Sequence, residues 1–336
     1  MRRYFAVLSL FLSLLAGHPA LAHEVRPAYL EIDQTGPSTY TVIWKQPVMG
    51  DVAIHLIPHL SNGWLEQPPV DQYATGGFMI RQWSIRAQAP SALAGKTVSI
   101  EGLQDTITDV FVRVRLKDGE GIDTIVRPEA PQMRIDLKAG APTAVSAFLL
   151  LGIQHILTGP DHLLFVLGLL LIVRDRWMLV KTVSAFTVAH SLTLAAATLG
   201  HIQLSTPLLN ALIALSILFV APEAVRAARG GTSLTIRYPW IVAFAFGLLH
   251  GMGFANGLST LGLDKGALVG ALALFNLGVE IGQLAFLAVV LALARSFRRM
   301  QIVWPRAVAA LPAYAIGALG AMWAFHYGAV VIGATP

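Results

Sequence analysis

Gly152-Ile153-Gln154-His155-Ile156-Leu157-Thr158-Gly159-Pro160-Asp161-His162 sets two imidazoles and a carboxylate inside an apolar run long enough to cross a bilayer. An ionisable group within such a span costs roughly 2.5 to 3.5 kcal/mol on insertion scales, so each one needs a partner or a task. His155 and His162 lie seven residues apart, nearly two helical turns, which puts both rings on one stripe. Gly159-Pro160 between them predicts a kinked or broken helix whose freed carbonyls join the side chains. Broken helices at membrane depth are tolerated where they line a cavity, and they recur in the ion sites of transporters.

Outward from this stretch the chain reads as six spans, near residues 144 to 173, 178 to 200, 204 to 225, 239 to 262, 267 to 294 and 307 to 332. Most of them have the ~20 apolar residues that a crossing helix needs. Composition agrees: 55% of the 336 residues are hydrophobic and 13% charged, with a mean hydropathy of +0.63, too apolar for a soluble domain of this size. The net charge of +5 sits in short clusters between apolar runs, which excludes the continuous basic stripe of a nucleic-acid binder. Arg174, Arg176 and Lys181 follow the first span, Arg226, Arg229 and Arg237 the third, and Arg295, Arg298, Arg299 and Arg306 the fifth, while the other short loops carry only Lys265. Basic loops face the cytoplasm, so the first span enters from outside and the C-terminus ends outside. An N-terminal basic pair, Arg2-Arg3, an apolar stretch over residues 4 to 15 and Ala20-Leu21-Ala22 predict a cleavable signal peptide over residues 1–22. Export by that route gives the same orientation. A chain starting at His23 would carry a free amine beside an imidazole, a possible copper or nickel chelate, though an ordinary chain start beside Glu24 is the simpler reading.

Residues 23–140 differ in texture. Tyr29-Leu30-Glu31-Ile32, Tyr40-Thr41-Val42-Ile43-Trp44 and Val110-Phe111-Val112-Arg113-Val114-Arg115-Leu116 alternate with period two and are rich in β-branched and aromatic residues. Turn signals at residues 34 to 37 and 117 to 121 separate such runs, so an extracytoplasmic β-sandwich is expected before the transmembrane helical domain of residues 141–336. His55 and His59 read as a surface pair, because Pro58 is expected to interrupt their strand.

Counting ~1.5 Å per residue from the span ends puts His155, His190, His250 and Glu280 near one depth on four different spans. Asn276 and Gln283 extend a polar face around Glu280, and Thr193 does so for His190. Small residues nearby, Gly247, Gly251, Gly253, Gly257, Gly278 and Gly282, suit close helix approach. Interhelical hydrogen bonds alone are the plainer reading of any one of these histidines, but such bonds need only Ser, Thr or Asn and do not account for a set of titratable groups. His155, Asp161, His162, His190, His250 and Glu280 are therefore the candidate metal ligands. The chain has no cysteine, so thiolate sites are excluded, and imidazole with carboxylate suits Ni, Co, Zn or Cu(II) better than Mg or Ca. Glu223, Asp264, His201 and His326 lie nearer span ends or aromatic belts and stay outside the set. Spans one and four share G-x-x-H, at Gly152 to His155 and Gly247 to His250, and spans two and five place His190 and Glu280 shortly after Phe186-Thr187 and Phe275-Asn276. Opposed span directions make this the pattern of an inverted 3+3 repeat.

The run from His155 to Phe165, with residues 186 to 194, 247 to 255 and 275 to 284, resembles the HupE/UreJ family, and His23-Glu24-Val25-Arg26-Pro27 looks like the start of its branch with a large extracytoplasmic domain. The resemblance implies a hydrogenase- or urease-associated nickel permease or accessory protein of the bacterial inner membrane, with metal passage at His155, Asp161 and His162. This chain differs from the shorter permeases in Ile156, in Pro160 and in the added β-domain. Three functions follow: a divalent-metal permease with nickel or cobalt foremost, an intramembrane metal-dependent hydrolase with Glu280 or Asp161 as base, or a metal-delivery factor docking a periplasmic partner through the β-domain. The absence of a G-x4-G-K-[ST] motif leaves transport secondary or channel-like unless a partner supplies energy.

Overall fold

The computed structural model describes residues 27–49, 52–53, 55–75, 78–87, 93–106, 108–136, 144–202, 204–255, 265–299 and 310–334. The expected signal peptide, His23, Gly257, Asp264 and Arg306 lie outside them. The chain divides into two compact units, one strand-built and one helical.

The strand unit comprises β1 (Ala28–Gln34), β2 (Thr39–Met49), β3 (Val52–Ala53), β4 (Ile57–Leu60), β5 (Asp71–Thr75), β6 (Phe78–Arg86), β7 (Thr97–Glu101), β8 (Val110–Arg115), β9 (Gly121–Val126) and β10 (Gln132–Arg134). A seven-stranded sheet runs β5-β6-β2-β1-β8-β9 with β3 paired to β2, and a three-stranded sheet runs β10-β7-β4. Period-two alternation dictates which side chains meet. Leu30 and Ile32 lie opposite Trp44 and Val42 of antiparallel β2 and opposite Val112 and Val114 of parallel β8. These residues share one buried core with Leu60, Val98 and Ile100 of the smaller sheet, so the two sheets form the expected sandwich, of unequal halves.

On the opposite face of the large sheet the polar Glu31 and Arg113 are buried beside Tyr29 and Phe111. Arg113 is enclosed and donates through Nε and Nη2 to Asp123 at 2.9 and 3.1 Å, a bidentate pair that satisfies a charge removed from water. Burial pushes the Glu31 carboxyl up and pushes that of Asp109 up to about 6. Pro58 does not interrupt its strand: it lies within β4, opposite Ile100. β4 is an edge of the three-stranded sheet, where a residue without an N–H is tolerated.

The helical unit holds α1 (Ala144–Thr158), α2 (Pro160–Ile172), α3 (Arg176–Thr198), α4 (Thr206–Ala228), α5 (Leu234–Arg237), α6 (Pro239–Gly253), α7 (Lys265–Arg299) and α8 (Leu311–Val331). α1 and α2 flank the interruption expected at Gly159-Pro160. Pro160 lacks an N–H and starts α2 at its first turn, where that donor would be unused anyway, and the two axes differ by 70°. Among the described residues four helices, α3, α4, α7 and α8, are long and apolar enough to cross a bilayer, and the bent α1/α2 pair, counted as one span, makes up to five. The expected fourth span is described only as far as Ala255, and its residues 256 to 262 lie outside the described residues. α6 is apolar but has 15 residues, about 22 Å at ~1.5 Å per residue. It ends in Gly251-Met252-Gly253, where glycine offers the least helix propensity. Glu223, expected at an interface, is instead buried and accepts from Arg226 and from Ser233, which caps α5. It ties the α4–α5 connection together.

Candidate metal centre

The bend between α1 and α2 brings the first three candidates together. His155 lies three residues before the end of α1, and Asp161 and His162 occupy the first turn of α2, with the two ring centroids 4.8 Å apart. α3 adds His190, at 5.9 Å from the His155 ring and 6.0 Å from that of His162. α6 adds His250, 4.8 Å from His162. α6 can bring it so near because position 251 is glycine: a Cβ there would collide with the His190 carbonyl. On the other side a Cβ at Gly278 would collide with the Leu149 carbonyl, so α1 and α7 also meet backbone to backbone. Such contacts replace the hydrophobic drive that lipid withholds.

Among the described residues two groups offer ligand atoms within 4.8 Å of one another, His155 with His162 and His190, and Asp161 with His162 and His250. A tetrahedral ion with bonds of ~2.1 Å places its ligands roughly 3.4 Å apart, so either group closes on an ion by small side-chain shifts. Hydrogen bonds on the far side of the rings set which nitrogen faces inward. Asn276 Nδ2 donates to the Leu272 carbonyl at 2.8 Å, which turns its Oδ1 toward His190 Nδ1 at 3.1 Å. An amide oxygen only accepts, so Nδ1 carries the proton and Nε2 keeps the lone pair. Ser216 works alike on His250. Its hydroxyl donates to the Ile213 carbonyl at 2.6 Å and therefore accepts from His250 Nε2 at 3.0 Å, leaving Nδ1 as the ligand atom. Asp161 Oδ1 stands 3.1 Å from His162 Nδ1, the carboxylate–histidine pairing that orients metal ligands. His155 Nε2, His190 Nε2 and His250 Nδ1 are buried with no hydrogen-bond partner among the described residues.

Phenyl rings surround the imidazoles. Phe254 and Phe275 stack at 4.8 Å and flank His155 at 4.6 and 5.3 Å, and Phe165 and Phe186 flank His250 at 5.4 and 5.2 Å. They bury the imidazoles, which lowers the local dielectric.

Glu280 does not join either group. Its carboxylate accepts from Ser184 at 2.6 Å, and its Oε2 is buried without a partner among the described residues. Thr187 donates to Gln283 at 2.9 Å beside it. Together with His190 and Asn276 these pairs form a polar seam between α3 and α7 that starts at the imidazoles and descends toward the N-terminal end of α3. Sequence reasoning singled out Asn276 and Gln283 but missed Ser184 and Ser216. Each is a lone hydroxyl in an apolar run, and nothing local separates such a serine from one that bonds back to its own helix.

The G-x-x-H match has a geometric counterpart. α1 and α6 are both 15 residues long, and each carries its histidine three residues from the end. A Cβ at Gly152 would meet the Phe275 carbonyl and one at Gly247 the Phe186 carbonyl, while His155 lies 5.3 Å from the Phe275 ring and His250 5.2 Å from that of Phe186. Under this correspondence Val279, not Glu280, is the counterpart of His190, since each is the fourth residue after its phenylalanine.

A family model described as HupE / UreJ protein matches residues 131–327. Comparisons with curated proteins and with solved structures gave no match. The matched stretch is more than half of the chain and contains the broken helix, the four imidazoles and the polar seam, and the protein belongs to the HupE/UreJ family.

Proposed function

We propose that this chain is a divalent transition-metal permease of the bacterial inner membrane, with nickel or cobalt as its cargo. The family implies a metal-related role. The observation that carries the reading is the inward-facing, unpartnered nitrogens of His155, His190 and His250 gathered around His162 and Asp161. Leaving a polar atom bare in a dry interior costs about 1–3 kcal/mol, and a passing cation removes that cost. Neutral imidazole with one carboxylate favours Ni, Co, Zn or Cu(II) over Mg and Ca. The basic loops put the N-terminal end of α3, and with it the lower end of the seam, on the cytoplasmic side. The strand unit and the C-terminus then face the periplasm, and inward movement runs from the imidazoles along the seam to Glu280.

Protons compete with the cation for the same lone pairs, so uptake falls in acid. No nucleotide-binding loop is present, which leaves the gradients of the ion and of protons as the driving force. The test is metal accumulation by cells expressing the wild type, His155→Ala, Asp161→Ala and Glu280→Ala at matched levels, with limiting Ni, Co, Zn and Cu. One metal should rise with the wild type and return to background in His155→Ala and Asp161→Ala, with a smaller loss in Glu280→Ala. If no metal moves while the purified protein binds one stoichiometrically, transport is wrong and an intramembrane hydrolase or a metal-delivery role replaces it.

A further inference from the structure

We infer that the centre is two consecutive cation positions sharing His162, with Asp161 and His250 completing the first and His155 and His190 completing the second. The inference rests on the metal-handling reading above and adds the order of events within it. His162 belongs to both ligand groups and is the one residue they have in common. Its ring lies 4.8 Å from that of His155 on one side and 4.8 Å from that of His250 on the other. A neutral ring has one lone pair, on Nδ1 beside Asp161 for the first position or on Nε2 for the second, so it serves one ion at a time. Two dications at neighbouring positions also repel strongly in a buried site. Occupancy of the two is therefore mutually exclusive, and His162 hands the ion across.

Exposure and charge give the sequence a direction. The Asp161 side chain is 20% exposed, against 8% at His155, 2% at His162 and none at His190 and His250. The first position thus reaches the surface through Asp161 and holds an anionic oxygen, which draws in a dication and offsets its lost hydration. The second position has three imidazoles, a donor set that suits borderline transition ions and serves Mg and Ca poorly. It is the selective step. His190 then leads through Asn276 to the seam that ends at Glu280, so the neutral position stands between two carboxylates. The G-x-x-H correspondence fits this division, because each position takes its own member of the matched pair, His250 for the first and His155 for the second.

The experiment uses the purified full chain in lipid nanodiscs, titrated with Co(II) and followed by visible absorption. The wild type should bind one ion per chain. His190→Gln and His250→Gln keep a side chain able to bond Asn276 or Ser216, and each should still bind one ion with clearly different spectra, the better binder of the two within about twofold of the wild type. His162→Gln and the double variant His190→Gln/His250→Gln should lose binding by more than a hundredfold. In proteoliposomes both single variants should transport at under a tenth of the wild-type rate although they bind. Two ions per wild-type chain would overturn the proposal in favour of a binuclear centre. Loss of binding in both single variants, or one spectrum common to them, would overturn it in favour of a single four-imidazole site. A wild type that binds no Co(II), Ni(II) or Zn(II) removes the metal-handling reading itself.

Discussion

In the strand unit His59 has both ring nitrogens engaged, Nδ1 with Glu66 at 2.9 Å and Nε2 with Glu101 at 3.0 Å. In the helical unit His155, His190 and His250 each keep one buried nitrogen without a partner among the described residues. The first ring is partly exposed and the others are enclosed, the reverse of what solvation alone would arrange. Water could satisfy His59 at little cost, yet carboxylates do so. The enclosed rings lie away from bulk solvent, yet their second nitrogens stay open. A bare lone pair in a dry interior is costly, and at His190 and His250 a hydrogen bond on the opposite nitrogen holds it in place. The difference separates a structural histidine from one kept ready for a guest.

The two units also hold together by different means, and substitutions of equal size should expose that. Gly278→Leu and Gly251→Leu drive a side chain into a backbone carbonyl of the facing helix, with no flexible side chain to give way. We expect destabilisation above about 3 kcal/mol, read as loss of monodisperse protein in detergent. Trp44→Ala, in the fully buried core of the sandwich, should cost about 3–5 kcal/mol and unfold the strand unit while metal binding by the helices persists. A Gly278→Leu protein of native stability would show that the helix backbones do not meet as described.

A smaller effect concerns the hydrogen bonds behind the imidazoles. Asn276→Leu and Ser216→Ala remove the groups that fix the tautomers of His190 and His250, and each should weaken metal binding at the position its histidine serves by about 10–100-fold without changing thermal stability by more than about 1 kcal/mol. Asn276→Asp still offers an acceptor to Nδ1 and should recover most of the affinity. Equal losses in Asn276→Leu and Asn276→Asp, by isothermal titration with Ni(II), would mean the amide matters for packing and not for the tautomer.

Much of this contrast was legible before any coordinates. His155, Asp161 and His162 declare themselves because charge inside an apolar run is rare, and Gly159-Pro160 marks the bend that folds the three together. Alternation in β1, β2 and β8 was equally plain. The partners of the rings were not. Ser216 and Ser184 become informative only once α4 and α7 are set beside α6 and α3, and that placement is decided by glycine contacts spread over distant segments. Glu280 was assigned to the imidazoles because depth along a helix is readable and azimuth across a bundle is not. Pro58 was misread because an edge strand is defined by its missing neighbour, which no local pattern reports.

Acid sensitivity should differ between the units in sign. Asp109, pushed up to about 6 by burial, binds its proton more tightly in the folded strand unit than in the unfolded chain, where a carboxyl titrates near ~3.9. Between those values the folded state carries more protons, so the strand unit loses stability as pH rises through the window. Metal binding by the helical unit should gain over the same range, because protons leave the competing lone pairs. Hydrogen exchange of β8 amides at pH 4.5 and 6.5, corrected for intrinsic rates, should show the first trend, and Asp109→Asn should flatten it. A slope unchanged in Asp109→Asn would assign it to another group, Glu31 foremost, whose carboxyl is raised in the same direction.

The smallest effect is expected at His59, where the contrast began. The neighbouring carboxylates of Glu66 and Glu101 raise the affinity of its ring for a proton, and the stability this supplies is fully present below the unfolded value near ~6.5 and fades as pH rises through the folded one. Both carboxylates are more than half exposed, so solvent screens the interaction and His59→Ala should cost less than about 1 kcal/mol at pH 6. Metal affinity should not change at all, since each ring nitrogen faces a different carboxylate and one ion cannot bridge to both through a single lone pair. A tenfold loss of Ni(II) or Co(II) affinity in His59→Ala would place a ligand in the strand unit and erase the distinction between the two kinds of histidine.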